Sequence, residues 1–200
     1  MAESFVYMPE SVRLAREIAL DRGVDVPSNG ACAALTFLAK AVKARTVVAI
    51  GAGPGVTGLA LFSGMTSDGV LTVIDRDSEW LGEARMAFTE AGIMPGRFRL
   101  IAGVARNVML KLSDAAYDLV LIGGDKLEYV EYVAQAVRLL RPGGLVVMSD
   151  VLWHNLVADP RCDDDEAYII REALQVVQAD DGFTSLIIPL GEGLLAAVKS

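Results

Sequence analysis

The sequence predicts an α/β fold built on a mostly parallel, doubly wound sheet of seven strands. Apolar runs of strand length alternate along the chain with segments of helical length, an order that favours parallel strands joined by helices. The first apolar run, 46–50, leads directly into a glycine-rich turn and then a helix. The last two runs, 184–189 and 194–199, are separated by only four residues, which predicts an antiparallel C-terminal hairpin.

Each predicted strand is a short, nearly continuous apolar run, as expected of strands that are buried on both faces of a sheet. In the second strand, for example, five apolar or β-branched residues precede Asp75. The strands are predicted at 46–50, 70–75, 98–102, 117–122, 145–149, 184–189 and 194–199.

The segments between the strands carry helix signals. In the first helix Val12, Ala15 and Ile18 lie on one face. Gly92 ends the fourth helix, and the Arg-Pro-Gly-Gly run at 141–144 ends the sixth. The helices are predicted at 9–22, 31–42, 56–63, 79–91, 106–112, 129–140 and 166–179.

Composition limits the classes of protein. With 200 residues, 53% of them hydrophobic, the chain is expected to form one globular domain, with N-terminal helices in 1–44 and the sheet-containing core in 45–200. The net charge of -8 argues against a nucleic acid as partner, because phosphate binding needs clustered Lys and Arg. No apolar run is long enough for a membrane span, and the N-terminus has no signal-peptide pattern. Cys32 and Cys162 are isolated, which favours reduced thiols in a cytoplasmic protein.

The glycine-rich turn is the strongest functional signal. Glycines at 51, 53, 55 and 58 follow the first strand, where they allow a ligand to approach the backbone closely. Asp75 ends the second strand, at roughly the ~20-residue spacing at which an acid can hydrogen-bond ribose hydroxyls. Together they predict a nucleotide-like cofactor at the carboxyl end of the sheet. A tight turn and a helix N-cap are the structural alternatives.

Motifs along nearly the whole chain resemble class I S-adenosylmethionine-dependent methyltransferases, in particular the small-molecule O-methyltransferases of the catechol and caffeoyl-CoA type. The family's E-I-G-x-G-x-G corresponds to 49–55, and its Y-D-L-V-F-I-D-A-D-K corresponds to 117–126. L-L-R-P-G-G is present at 139–144, and P-L-G-D-G-L corresponds to 189–194. D-N-V-L-W appears as the four residues Asp150-Val151-Leu152-Trp153, with Val151 at the position of the Asn. The resemblance implies a Rossmann-like fold, S-adenosylmethionine as cofactor, a small-molecule acceptor and a homodimer.

The resemblance also implies the cofactor-binding residues. Two departures from the family pattern affect them: Ala49 replaces an acid before the glycine turn, and Val104 replaces an acid after the third strand. Thr57 lies where the family contacts the methionine portion of the cofactor or its surroundings, and helix capping is the alternative. The implied positions are Ala49, Gly51, Ala52, Gly53, Gly55, Thr57, Asp75, Arg76, Val104, Ala105, Gly123 and Asp125.

The family's divalent metal is not expected here. Two of its three ligand positions are Gly123 and Val151, whose side chains have no ligand atom, and only Asp150 remains. Because Mg²⁺ requires several oxygen ligands, one carboxylate makes a poor site.

Three residues are candidates for catalysis. Lys126 matches the family's lysine beside the substrate oxygen, where burial or a neighbouring cation would lower its pKa enough for a general base, and a solvated lysine is the alternative. Asp150 faces the expected crevice, either to orient the substrate or as a remnant of the metal site. His154, the only histidine, is a candidate base or an ordinary surface residue. Asp125 either holds Lys126 or caps the following helix.

Several alternatives stay open. Trp153 and Tyr129 either line a pocket or pack in the core, and the acidic run 163–166 favours a helix N-terminus over a Ca²⁺ site. At the level of function, the main alternative is a protein of this fold that binds the cofactor but has lost its chemistry or become regulatory. A dinucleotide-dependent oxidoreductase is a weaker alternative, because the G-x-G-x-x-G frame that opens at Gly51 ends in Val56.

Overall fold

A seven-stranded sheet forms the centre of the protein. The computed structural model describes residues 1–51 and 53–200. The strand order is β3-β2-β1-β4-β5-β7-β6, with parallel pairing except for β7, which is antiparallel to both of its neighbours. The predicted C-terminal hairpin is therefore confirmed. The strands are β1 (Thr46–Ile50), β2 (Val70–Asp75), β3 (Phe98–Ala102), β4 (Tyr117–Ile122), β5 (Leu140–Ser149), β6 (Phe183–Ile188) and β7 (Leu194–Lys199).

Helices cover both faces of this sheet. They are α1 (Ala2–Phe5), α2 (Glu10–Asp21), α3 (Asn29–Ala41), α4 (Val56–Gly64), α5 (Ser78–Glu90), α6 (Ala105–Met109), α7 (Tyr129–Leu139) and α8 (Asp165–Ala179). Short 3-10 turns occur at Pro95–Arg97, Lys126–Glu128 and Leu156–Ala158. None of the helices within the described residues combines the length and hydropathy needed to cross a bilayer.

The two helical layers pack on alternate residues of the same strands. In β1, Val47 and Ala49 belong to the core shared with α3, α4 and α5, whereas Val48 and Ile50 belong to the core shared with α6, α7 and α8. This alternation follows from the two-residue period of a strand, and it explains why β1 is apolar throughout.

Predicted and observed elements differ mainly where glycine or proline interrupts a pattern. The fifth strand begins at Leu140 and not at 145, because Leu140 already pairs with Tyr117 before a shift in register. The helix predicted at 106–112 spans only Ala105–Met109. The short helix α1 was not predicted.

The amino ends of the strands are held together by a buried carboxylate. Asp118 accepts hydrogen bonds from the backbone N–H groups of Arg45 and Thr46, both at 2.7 Å, and pairs with Arg141 at 2.5 Å. Burial raises the pKa of Asp118, but these donors outweigh it, and the pKa lies below its usual value. These contacts stabilise the end of the sheet opposite the carboxyl ends of the parallel strands.

A crevice opens at the carboxyl ends of β1 and β4. From β1 the chain proceeds to β2 and β3 on one side, while β4 and β5 lie on the other side, so the strand order reverses between β1 and β4. Ligands of open α/β sheets bind at such a reversal.

Candidate functional site

A cavity of about 590 Å³ occupies this crevice. Its volume lies within the roughly 300–1,000 Å³ usual for small-molecule sites. The structure brings to its wall the predicted residues Gly51, Gly53, Thr57, Asp75, Arg76, Gly123 and Asp150.

The turn after β1 forms one side of the cavity through its backbone. Gly51 has a φ of +85°, and a Cβ there would lie 2.7 Å from the backbone N of Gly124. Gly53 has a φ of +48°, but a Cβ on it would meet no atom within 4 Å. Because Gly53 lines the cavity, the open space beside it is available to a ligand.

The end of β2 adds a carboxylate and an aromatic ring to the same side. Asp75 Oδ1 accepts a hydrogen bond from the backbone N–H of Asp77 at 2.9 Å, and Asp75 lines the cavity. Trp80, in the first turn of α5, also lines it. Arg76 reaches from the cavity wall to Glu128, 3.2 Å away. An acid beside a ring is suited to a ribose and a base.

The other side of the cavity is built around an ion pair. Lys126 Nζ donates to Asp150 Oδ2 at 2.7 Å, and the Lys126 side chain is only 12% exposed. The ammonium lies 5.2 Å from the ring centroid of Tyr129 and 5.5 Å from that of Trp153, within the range of cation–π contacts. Tyr129 is fully buried, and its hydroxyl donates to the carbonyl of Ser149 at 3.1 Å.

This environment keeps Lys126 protonated. Burial lowers the pKa of Lys126, but Tyr129 and the Asp150 carboxylate outweigh it, so the pKa lies above its usual value. A general base would need a lowered pKa, so the expectation that burial lowers the pKa of Lys126 below its usual value is wrong.

The loop after β5 has an unusual backbone. Asp150, Trp153, His154 and Asn155 all have φ between +43° and +64°. Glu192, in the β6–β7 turn, holds this loop: its carboxylate accepts from the backbone N–H of His154 at 2.6 Å. The His154 side chain is 66% exposed and does not line the cavity.

The N-terminal helix is attached beside the cavity by one carboxylate. Glu3 accepts hydrogen bonds from the Ser28 hydroxyl at 2.8 Å, the Gly30 N–H at 2.5 Å and the Gly191 N–H at 3.3 Å. Burial raises the pKa of Glu3, but the three hydrogen-bond donors together lower it by more than burial raises it. The pKa of Glu3 is therefore below its usual value. Ser28 and Gly191 line the cavity, so Glu3 joins two parts of its wall.

The residues present do not fit a divalent metal. At the family's ligand positions, Gly123 has no side chain and Val151 is buried and apolar, while Asp150 is already paired with Lys126. Across 1–51 and 53–200, no group of three His, Cys, Asp or Glu side chains could hold a metal ion.

Several predicted residues lie away from the cavity wall. Ala49 is packed in the core, Ala105 is buried, and a Cβ on Gly55 would meet the backbone of Ala84 in α5 at 3.0 Å. Val104 precedes α6 without lining the cavity. Ala52 lies outside the described residues.

Hydrogen bonds show the structural roles of two acidic residues near the site, Asp125 and Asp164. Asp125 caps the turn at Lys126–Glu128, since its Oδ1 accepts from the Leu127 N–H at 3.1 Å, while Lys126 pairs with Asp150. Asp164 caps α8 and also accepts from Trp153 Nε1 at 2.9 Å, which confirms that the acidic run forms a helix N-terminus.

Sequence reasoning missed three residues that shape the site. Glu3 carried no local signal, and Glu192 was noted only as part of a motif. Trp80 had one usable signal, an aromatic residue in the first helical turn after the acid that ends β2.

Known proteins are similar to this chain in sequence and in fold. A Mycobacterium avium protein, named provisionally as an O-methyltransferase, is 41% identical over 198 residues, which are 99% of this chain and 89% of that protein. The crystal structure of a Corynebacterium glutamicum protein superposes with a TM-score of 0.90 at 30% identity, covering 100% of this chain and 94% of the other.

A third similar protein is the O-methyltransferase TomG of Streptomyces achromogenes, involved in tomaymycin synthesis and solved in complex with S-adenosylmethionine. Its TM-score is 0.88 at 23% identity, with 100% of this chain and 93% of that chain covered, a likeness that shows the fold. A family model described as O-methyltransferase matches residues 7–200. The chain therefore belongs to the O-methyltransferase family of class I S-adenosylmethionine-dependent enzymes.

Proposed function

We propose that this protein transfers a methyl group from S-adenosylmethionine to an oxygen of a small molecule, without a divalent metal. The observation that carries the proposal is that one cavity joins the glycine turn of β1 and Asp75 to Asp150 at the end of β5. It therefore offers a cofactor half and an acceptor half in one space. Family membership supplies the reaction class.

The cofactor half would bind its ligand mainly through backbone and ring contacts. Open space beside Gly53 leaves room for the ligand at the turn, and Asp75 would accept hydrogen bonds from ribose hydroxyls. Trp80 offers a flat apolar surface for a base. When bound, S-adenosylmethionine supplies an electrophilic methyl group on a sulfonium sulfur.

The acceptor half would orient the incoming oxygen. Asp150 lines the cavity and is 39% exposed, so a hydroxyl group can reach it. Alignment of two bound reactants can supply up to ~7–11 kcal/mol of the barrier reduction in favourable cases. Phenols, with a pKa near ~10, are the acceptor class that needs the least activation among hydroxyl compounds.

Metal independence is part of the proposal, supported by Gly123, the buried Val151 and the Asp150–Lys126 pair.

We further propose that 1–200 acts as one cytoplasmic domain and forms a homodimer. Phe37, on helix α3, is 71% exposed and would suit an interface between copies. Sedimentation of wild type and Phe37→Ser tests the dimer.

Label transfer from S-adenosylmethionine to a panel of phenols, carboxylates and thiols tests the function, with calorimetric titration of S-adenosylhomocysteine alongside. We expect micromolar binding and labelling of at least one hydroxyl acceptor. Binding without any transfer would favour the cofactor-binding alternative, and absence of binding would refute the proposal.

Substitution of a glycine in the turn after β1 needs a control at a glycine outside the site. Gly82→Ala, in the exposed part of α5, serves as that control, because a Cβ there meets no atom within 4 Å.

A further inference from the structure

The contacts around Lys126 place it behind Asp150 as seen from the cavity. Asp150 lines the cavity and its side chain is 39% exposed, whereas Lys126 does not line it and is 12% exposed. Besides Asp150, the ammonium meets the Gly124 carbonyl at 3.4 Å and the two aromatic rings of Tyr129 and Trp153. A protonated ammonium has three donors and no acceptor, so in this arrangement it cannot take a proton from a substrate.

Asp150 keeps one carboxylate oxygen for a ligand. Its Oδ2 is bound to Lys126, and within the described part of the chain no hydrogen bond to Oδ1 is found. The backbone at Asp150 has a φ of +57°, a strained conformation for a residue that is not glycine. Such strain persists only where surrounding contacts impose it, and the bond to Lys126 is one of them.

We propose that Lys126 is a positioning residue whose ammonium holds Asp150, and that the free oxygen of Asp150 accepts the proton of the acceptor hydroxyl. This inference rests on the proposed function. It assigns to a fixed side-chain cation the place of the metal that the residues present do not fit. It also separates two roles, because the buried Lys126 fixes geometry while the exposed Asp150 contacts the substrate.

The proposed step forms one bond to the methyl carbon, breaks another and moves one proton. The acceptor oxygen forms a bond to the methyl carbon, and the carbon–sulfur bond breaks with its electron pair remaining on sulfur. The hydroxyl proton becomes more acidic as the oxygen loses electron density to the new bond, so a carboxylate suffices to accept it. Asp150 ends protonated and returns the proton to solvent after product leaves.

Two substitutions of Lys126 separate positioning from proton transfer. Arginine keeps a cation but stays protonated in proteins, so K126R cannot act as a base. Methionine has a similar length and no charge. We expect kcat of K126R to stay within about tenfold of wild type because a charge-assisted pair can still form. We expect kcat of K126M to fall by about 100-fold, the lower range of general acid–base effects.

A double substitution tests whether the two residues act as one unit. D150N should lower kcat as much as K126M or more, and K126M/D150N should be no worse than D150N alone, because effects within a unit are not additive. Affinity for S-adenosylhomocysteine and the melting temperature serve as checks that each variant is folded.

Equal loss in K126R and K126M, with affinity and melting unchanged, would overturn the positioning role, as would full activity in K126M. If wild type itself binds no S-adenosylhomocysteine, the proposed function has failed and the proton-accepting role of Asp150 fails with it, whereas the placement of Asp150 by Lys126 can still be tested. A readout without turnover then remains: in a W80F background, the fluorescence of Trp153 should shift in K126M and much less in K126R. Unchanged Trp153 emission in K126M would contradict the proposed placement of the Lys126 ammonium between Asp150 and the Trp153 ring.

Discussion

The two halves of the cavity are built by different means. The cofactor half, at the ends of β1 and β2, uses glycines and backbone with few side chains, and Gly51 lies against the backbone of Gly124. The acceptor half, at the ends of β4 and β5, uses a buried ion pair and a loop in which four residues other than glycine have positive φ. The glycine turn and Asp75 of the cofactor half match the family pattern, whereas the acceptor half lacks the family's ligand side chains at Gly123 and Val151.

The difference indicates where each half tolerates change. A site made of backbone is sensitive to added atoms and insensitive to most side-chain identities. A site made of side chains from distant segments depends on each partner, since Lys126 and Asp150 meet only through folding.

Gly51→Ala should abolish cofactor binding. A Cβ at this position would lie 2.7 Å from the N of Gly124, and its φ of +85° disfavours any side chain. We expect a loss of affinity for S-adenosylhomocysteine above about 100-fold and a free energy of unfolding lower by about 2–3 kcal/mol. Calorimetry and urea denaturation measure the two effects.

The control for that variant is Gly82→Ala, which lies on an open helix surface. It should leave the affinity unchanged and raise the free energy of unfolding by about 0.5–1 kcal/mol. Normal cofactor affinity in Gly51→Ala would show that the backbone approach is not needed.

Asp75→Asn should weaken the cofactor but leave the fold intact. Asparagine can still accept from the Asp77 N–H, so the local turn is kept while the charge is lost. We expect affinity to fall by about 10–100-fold, the range for a hydrogen bond to a charged group. Asp68→Asn, at an exposed surface pair with Arg45, is the matched control. Equal affinities of the two variants would argue against a ribose contact.

Glu3→Gln should destabilise the N-terminal attachment in a pH-dependent way. Because the pKa of Glu3 is lowered in the folded protein, its contribution is present above the unfolded value and disappears as pH falls through the folded value. We expect wild type to be more stable than the variant by about 1 kcal/mol at neutral pH. That difference should shrink below about pH 4.

Denaturation of both proteins across this pH range checks the sign, with the exposed Glu90→Gln as control. A difference that is independent of pH would mean that the Glu3 charge plays no part in the attachment.

His154→Asn should have the smallest effect. The imidazole is exposed and outside the cavity wall, and asparagine accepts the positive φ of this position. We expect kcat/KM within about threefold of wild type, as for surface substitutions. A loss comparable to that of D150N would instead make His154 the proton acceptor.

The central strands β1, β2 and β4 were predictable from sequence because they are buried almost throughout. The bounds of β1, β2, β3, β4 and β7 match the predicted runs, although β3 and β4 each contain one charged residue, Arg99 and Asp118. The start of β5 was not predictable, because the Pro-Gly-Gly segment reads as a break although Leu140 already pairs with Tyr117.

In the cofactor half, the glycines of the turn and Asp75 could be placed at the cavity from sequence, because they lie within short, recognisable segments, whereas Trp80 was missed. In the acceptor half, Lys126 and Asp150 could be named as candidates from the family resemblance, but their ion pair could not be predicted. Lys126 and Asp150 are 24 residues apart in sequence, and their pairing depends on the positive φ of Asp150. The hydrogen bonds of Glu3 and Glu192 likewise join distant segments, so no local sequence pattern predicts them.

The rate of methyl transfer after exhaustive chelation, compared with the rate after Mg²⁺ is added back, tests whether the acceptor half works without a metal. Because Lys126 would supply the fixed cation beside Asp150, we expect equal rates for wild type and no effect of Mg²⁺ on the activity of K126M. Loss of activity on chelation and its recovery with Mg²⁺ would contradict metal independence and make the acceptor half a metal-dependent site.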